Sequence, residues 1–209
     1  FYALERPNVL AGLSGGEQWW IVLFQSVTAR TAGFNTIDLS LLTSSSLVLM
    51  MFLMFVGGSP GSTAGGIKTT TLAILIATGL SRLRGSRSTD VFSRTVPERV
   101  VQAGTTVLLL GSIILFGFFF TLQWTESGSV PHAVSSAKDL ALIFEATSAF
   151  GTVGLSTGVT PTLTSWGKLQ IIILMFVGRV GPLVVSVAVA RRFQTRVQYE
   201  YYRENVMVG

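Results

Sequence analysis

The chain has 209 residues, of which 49% are hydrophobic and 12% charged, with a net charge of +5 and no cysteine. A soluble domain carries about 25% charged residues, and without cysteine there is neither a disulfide framework nor a thiolate metal site. The single histidine, His132, excludes a histidine metal cluster, and the basic residues flank apolar stretches, which points to a membrane surface rather than to nucleic acid.

The chain opens at Phe1 with FYALERPNVL and no methionine, so it is expected to be a piece of a longer polypeptide. Trp19 to Ala29 is a short apolar helix of 11 residues that runs into TARTAGFNT. Leu41 to Val56 is apolar for 16 residues, and Ile67 to Leu80 adds 14 more beyond a glycine-rich gap. A bilayer core needs about 20 helical residues, so the two pieces predict one interrupted crossing. Val100 to Thr125 is uncharged for 26 residues and predicts a full span, with Pro97 suited to its first turn. Ala137 to Phe150 is a second short helix of 14 residues, running into AFGTVGLST. Leu169 to Ala190 is a second span of 22 residues, interrupted only by Arg179, with Gly181-Pro182 marking a bend. At about 1.5 Å per residue the two short helices reach only part-way through a bilayer. Both predict re-entrant loops.

Arginine sets the orientation. Arg82, Arg84, Arg87, Arg94 and Arg99 crowd one inter-span loop, and Arg191, Arg192, Arg196 and Arg203 follow the last span. The segment from Glu126 to Lys168 has only Lys138 and Lys168 as basic residues. The positive-inside rule then puts the Arg-rich loop and the tail in the cytoplasm and the two re-entrant loops outside.

Shifting the sequence by 121 residues superposes Thr31, Gly33 and Thr36 on Thr152, Gly154 and Thr157. It also superposes Leu42-Thr43-Ser44 on Leu163-Thr164-Ser165 and Leu53–Gly57 on Leu174–Gly178. This gives 11 identities in 27 positions without a gap. Two crossings separate the copies, so they share one orientation and form a parallel repeat. The expected fold is an all-α membrane protein built from parallel helix–pore-loop–helix repeats around a central pore.

Gly61, Gly66, Lys68 and Thr69 resemble a phosphate-binding loop, but Ile67 separates the second glycine from the lysine and no strand precedes it. The gap from Gly57 to Gly66 has five glycines, one proline and three hydroxyl residues, a composition that no helix survives. Unwound backbone at membrane depth is tolerated where it lines protein or water. The simpler reading is a helix kink relieved by Ser and Thr.

The repeated Thr-x-Gly supplies a potassium cage. Glycine lets backbone carbonyls of Thr31, Ala32, Gly33 and Phe34, and of Thr152, Val153, Gly154 and Leu155, turn toward one dehydrated ion. Each preceding half-helix aims its partial negative end at the same cavity. Neither loop carries a carboxylate, which fits potassium better than calcium.

On Thr31-Ala32-Gly33-Phe34-Asn35, Gly57–Lys68, Thr152-Val153-Gly154-Leu155-Ser156 and Arg179, the chain resembles the C-terminal half of a KtrB-type subunit of the Ktr/Trk/HKT potassium transporter superfamily. The resemblance implies four repeats around one pore, with the remaining half of the ring outside this chain. Residues 1–80 would form the third repeat without most of its first helix, with pore helix and filter at 18–36 and the interrupted helix at 41–80. Residues 81–96 would be a cytoplasmic loop, 97–193 the fourth repeat and 194–209 a cytoplasmic tail. It further implies that Gly57, Gly58, Gly61, Gly65 and Gly66 form an intramembrane gate with Arg179 holding it, that the membrane subunit dimerises, and that a cytoplasmic nucleotide-binding regulatory subunit docks on the basic surfaces. No cofactor is implied beyond potassium as substrate and sodium as modulator.

The gap aligns Gly58 with Arg179, and a buried carboxylate such as Glu145 is the alternative partner for that arginine. Lys68 is expected at the inner interface, and Arg30 at the C-terminus of the first pore helix. A sodium- or proton-coupled symporter is the rival function, with Glu145 as its coupling acid. A membrane enzyme would need a His, Cys or acidic cluster in the spans, which the sequence lacks.

Overall fold

The computed structural model of the chain describes residues 1–86, 88–91, 94–128 and 131–192. The basic tail beyond Arg192, and Arg87, lie outside the described residues. The architecture is helical: α1 (Tyr2–Glu5), α2 (Gly15–Thr28), α3 (Ser44–Phe55), α4 (Thr69–Leu83), α5 (Glu98–Ser127), α6 (His132–Gly151) and α7 (Ser165–Arg192). Every apolar stretch of the sequence falls on one of these helices.

Local chemistry sets the boundaries. Ser14 and Glu17 form a reciprocal capping box at the start of α2. Thr43 caps α3 by accepting from the Ser46 amide, and Pro97 and Pro131 stand immediately before α5 and α6. α7 continues as one helix through Gly181-Pro182.

One feature departs from the all-helical expectation. Within the Arg-rich loop, β1 (Thr89–Val91) and β2 (Arg94–Val96) pair antiparallel with Asp90 opposite Thr95. The threonines and valines of these triplets favour extended backbone, and the Thr95 hydroxyl donates to the Asp90 carboxylate at 2.6 Å.

α6 is the central element. Its Phe144 joins Met50 and Met54 of α3 and Val153 and Leu155 of the following loop in one buried cluster. Its Leu142, Ala149 and Phe150 join Leu115 and Leu122 of α5 and Ile171 and Leu174 of α7 in another. α5 is long and apolar enough to cross a membrane, about 45 Å over its 30 residues. Its Ile113, Phe116 and Phe120 face outward, as does the α2 row of Trp19, Trp20, Leu23 and Val27.

The 121-residue spacing recurs in the hydrogen bonds. The 3₁₀ turns Leu39–Leu41 and Thr160–Thr162 stand one shift apart. Glu5 accepts from the Thr43 amide and hydroxyl at 3.0 and 2.7 Å, and Glu126 accepts from the Thr164 amide and hydroxyl at 3.0 and 2.5 Å. Each threonine in turn caps its helix, Thr43 from the Ser46 amide and Thr164 from the Gly167 amide. Burial pushes the Glu5 carboxyl up, but hydrogen bonds from Ser46, Thr43 and Asn8 outweigh this and hold it below its ordinary range.

Candidate functional site

A left-handed residue stands three positions after the end of α2 and directly after α6. Thr31 has φ 70° and Thr152 φ 52°, and they are the two non-glycine residues with positive φ among those described. A β-branched residue in that region is a genuine outlier that its surroundings must enforce. Gly33 and Gly154, two residues on, have φ 77° and 93°. Both copies of Thr-x-Gly therefore turn the backbone the same way, where a side chain without Cβ is required at the second position.

The two turns meet. A Cβ on Gly33 would strike the Val153 carbonyl oxygen, and one on Gly154 would stand 3.6 Å from the Gly33 Cα. Their flanks differ. Val153 and Leu155 are buried against α3, whereas Phe34 is 72% exposed. The first turn is held instead by the Thr28 hydroxyl, which donates to the Phe34 carbonyl.

Glu145 secures the second turn. Its carboxylate accepts from the Ser156 hydroxyl at 2.5 Å, the Thr157 amide at 3.0 Å and the Thr160 hydroxyl at 2.7 Å. The group is only 5% exposed, so this set of donors is what makes its burial tolerable. Among the described residues Glu145 makes no ion pair with Arg179. The expected alternative pairing is therefore absent there: both carboxylate oxygens are already engaged by the segment after the turn. The first copy has Phe24 at the matching position, so this brace exists once.

Helix is absent from Val56 to Lys68, as the composition requires. The segment leaves and returns through a narrow neck. Val56 bridges Ile67, the Gly57 amide donates to the Ile67 carbonyl at 2.8 Å, and the Ile67 amide donates to the Phe55 carbonyl at 3.1 Å. Gly57 and Ala64–Ile67 are buried, while residues 59–63 form an exposed tip.

Three contacts tie the neck to its surroundings. The Arg30 guanidinium donates to the Val56 and Gly57 carbonyls at 2.5 and 3.1 Å. The Gly65 amide donates to the Thr152 hydroxyl at 3.0 Å, and the Gly66 amide to the Gly178 carbonyl at 3.3 Å. Gly65 must be glycine for this approach, because a Cβ there would lie 2.6 Å from the Thr152 Oγ1.

Two expectations are corrected here. Arg30 does not serve the end of its own helix; it reaches the Val56 and Gly57 carbonyls, at and just beyond the end of α3. Lys68, expected as an interface anchor rather than a contact of the gap segment, folds back onto that segment, donating to the Ser62 and Ala64 carbonyls at 3.2 and 2.6 Å. Unwound backbone offers free carbonyls within its reach. Lys68 and Arg179 share a cavity of about 280 Å³ lined also by Ser62, Thr63, Ala64, Gly66 and Gly178. Gly57, Gly58, Gly61, Gly65, Gly66 and Arg179 are thus gathered around one segment. The Thr31–Phe34 and Thr152–Leu155 turns stand next to each other at its neck.

A family model described as TrkH, cation transport protein, matches residues 7–197. The chain is 37% identical over 195 residues to the Ktr system potassium uptake protein B of Bacillus subtilis, covering 93% of this chain and 42% of that protein. It is 41% identical over 187 residues to the potassium/sodium uptake protein NtpJ of Enterococcus hirae, covering 89% of this chain and 40% of that protein. The crystal structure of the potassium transporter TrkH from Vibrio parahaemolyticus superposes with a TM-score of 0.67 at 20% identity, over 93% of this chain and 40% of that one. The chain thus spans less than half the length of these relatives, and over that length it belongs to the TrkH cation transport protein family.

Proposed function

We propose that this chain forms part of a channel-like potassium uptake pathway in a cell membrane. The Thr31–Phe34 and Thr152–Leu155 carbonyls select the ion and the Gly57–Gly66 segment gates its passage. The observation that carries this reading is the contact between Gly33 and Gly154, which brings together two like-turned stretches of backbone that contain no acidic residue of their own. A weakly hydrated monovalent cation suits such neutral oxygens. The nearby neck, bonded to Thr152 through Gly65, puts a glycine-rich segment where it can obstruct an ion leaving those oxygens.

Two repeats make half of a four-repeat ring, so the remaining half, a second copy of the membrane subunit and a cytoplasmic nucleotide-binding subunit complete the assembly in this reading. The turns open outward and the Arg-rich loop faces the cytoplasm.

A sodium- or proton-coupled symporter is the second reading, favoured by the resemblance to a potassium/sodium uptake protein. Glu145 is its natural coupling acid, but three donors already occupy that carboxylate. Rubidium and potassium uptake into a transport-deficient cell, by the intact ring with sodium varied outside, separates the two. Uptake that persists at negligible sodium and follows the membrane potential supports the channel-like reading. Uptake that vanishes without sodium or a proton gradient overturns it.

A further inference from the structure

The gap segment is bonded at one end to the residue before the first turn and at the other end to the first residue of the second turn. Arg30 grips its entry through the Val56 and Gly57 carbonyls, and Thr152 grips its exit through the Gly65 amide. The partners are 26 and 87 residues apart, so neither contact is imposed by local chain geometry. The two grips also use different chemistry at non-equivalent positions. Thr31, the counterpart of Thr152, points to no such partner among the described residues.

Thr152 is the more constrained of the two. Its backbone is left-handed and its hydroxyl accepts from Gly65, so one residue belongs to both structures. Gly65 and Gly66 are buried at this point, and the Gly66 amide is held by α7 through Gly178. Any excursion of the segment that withdraws Gly65 breaks the bond between its amide and the Thr152 hydroxyl.

We propose that Arg30 and Thr152 are positioning residues that couple the gap segment to the two carbonyl turns, so that displacement of the segment alters ion discrimination as well as flux. This rests on the proposed roles of turns and segment. The physical basis is that the Thr152 hydroxyl ties the buried Gly65 amide directly to the second turn, so that losing this bond leaves the amide unpaired and frees the turn's backbone, with the carbonyls beside it, to shift.

The test uses the intact ring in potassium-deficient cells, with membrane abundance measured for each variant. Thr152→Val removes the hydroxyl at nearly constant shape. Loss of one such hydrogen bond favours the displaced segment by up to about tenfold, and maximal rubidium uptake is expected to rise several-fold while rubidium-over-sodium discrimination falls. Thr152→Ser is expected to recover most of both, because it restores the acceptor for Gly65. Arg30→Gln is expected to move both quantities in the same direction from the other end, and it decides the matter should Thr152→Val fail to accumulate.

A change in flux with discrimination intact, a change in discrimination with flux intact, or no change in either overturns the coupling. Failure of both variants to accumulate also overturns it, because the bonds are then structural only. The underlying reading is checked separately by Gly154→Ala. If that variant accumulates and discriminates normally, the turns are not the selective element and the proposed function itself fails.

Discussion

The Gly33 Cα faces the Val153 carbonyl oxygen so closely that no side chain fits between them. Gly154 faces Gly33 in return but with ordinary spacing, its virtual Cβ 3.6 Å from the Gly33 Cα. The two glycines are therefore unequal, and substitutions rank them. Gly33→Ala must accept positive φ and displace a carbonyl of the opposite turn, whereas Gly154→Ala meets the φ penalty alone, about 1 kcal/mol. Rubidium uptake by the full-length protein is expected to fall at least tenfold for Gly33→Ala and severalfold for Gly154→Ala. Equal effects would mean that the approach of the turns is unimportant.

Glu145 and Glu126 make a controlled pair. Both are carboxylates that accept from hydroxyl and amide groups of the segment between α6 and α7, but Glu145 grips residues 156–160 directly after the turn, and Glu126 grips Thr164 at the entrance to α7. Glu145→Gln replaces one acceptor oxygen by a donor that faces a hydroxyl or amide already donating. Uptake is expected to drop roughly three- to tenfold with weaker discrimination against sodium. Glu126→Gln is expected to lower thermal stability and leave discrimination unchanged. Ion competition assays on the two variants, normalised to membrane abundance, check the contrast.

Arg179 and Lys68 place two positive charges on one cavity beside the gap segment. In the proposed pathway a cation crossing that region is repelled by both, and Lys68 is in addition bonded to the segment it faces. Arg179→Gln is expected to raise maximal rubidium uptake severalfold, because it removes a charge without removing a bond that holds the tip. Lys68→Gln is expected to raise it further, since two carbonyl contacts go as well. Unaltered uptake kinetics in Arg179→Gln would count against a barrier at this cavity.

Glu5 gives a pH signature at the N-terminal end of α3. Its carboxyl is held below the ordinary range, so its contribution to stability is complete above about pH 4.3 and is lost as pH falls through the lowered folded value. Glu5→Gln should therefore cost roughly 2 kcal/mol near neutrality and progressively less in acid. Melting temperatures of the two purified proteins in detergent, followed from pH 7 downward, are expected to converge. A constant gap would show that the carboxylate charge is irrelevant to the cap.

Helix placement was readable because hydrophobic stretches, prolines and capping residues act within a few positions of one another. The interruption between Phe55 and Thr69 follows from its glycines, and the repeated Thr-x-Gly gave both left-handed turns. What escaped were the long side chains that seek backbone carbonyls. Arg30 finds Val56 and Gly57 26 and 27 residues away, and Lys68 finds Ser62 and Ala64 only because the chain there is unwound. A carbonyl has no letter in the sequence, so a cation's partner of this kind is invisible until the backbone path is known. The Glu5–Thr43 contact was equally hidden in one copy, but its recurrence as Glu126–Thr164 was a signal that comparison of the copies beyond Thr31–Gly57 could have found. The small hairpin at Thr89–Val96 lay behind the arginines, whose charge pattern overshadowed the β-branched residues between them.

The bridge between Val56 and Ile67 works as a clasp on a pendant strip of backbone. With its two ends fastened, α3 and α4 keep their alignment whatever the strip between them does. Closing a somewhat longer flexible loop costs little extra, about 0.6 kcal/mol for each doubling of length. Evolution can therefore lengthen, trim or recompose residues 59–63 while the helices on either side inherit none of the change.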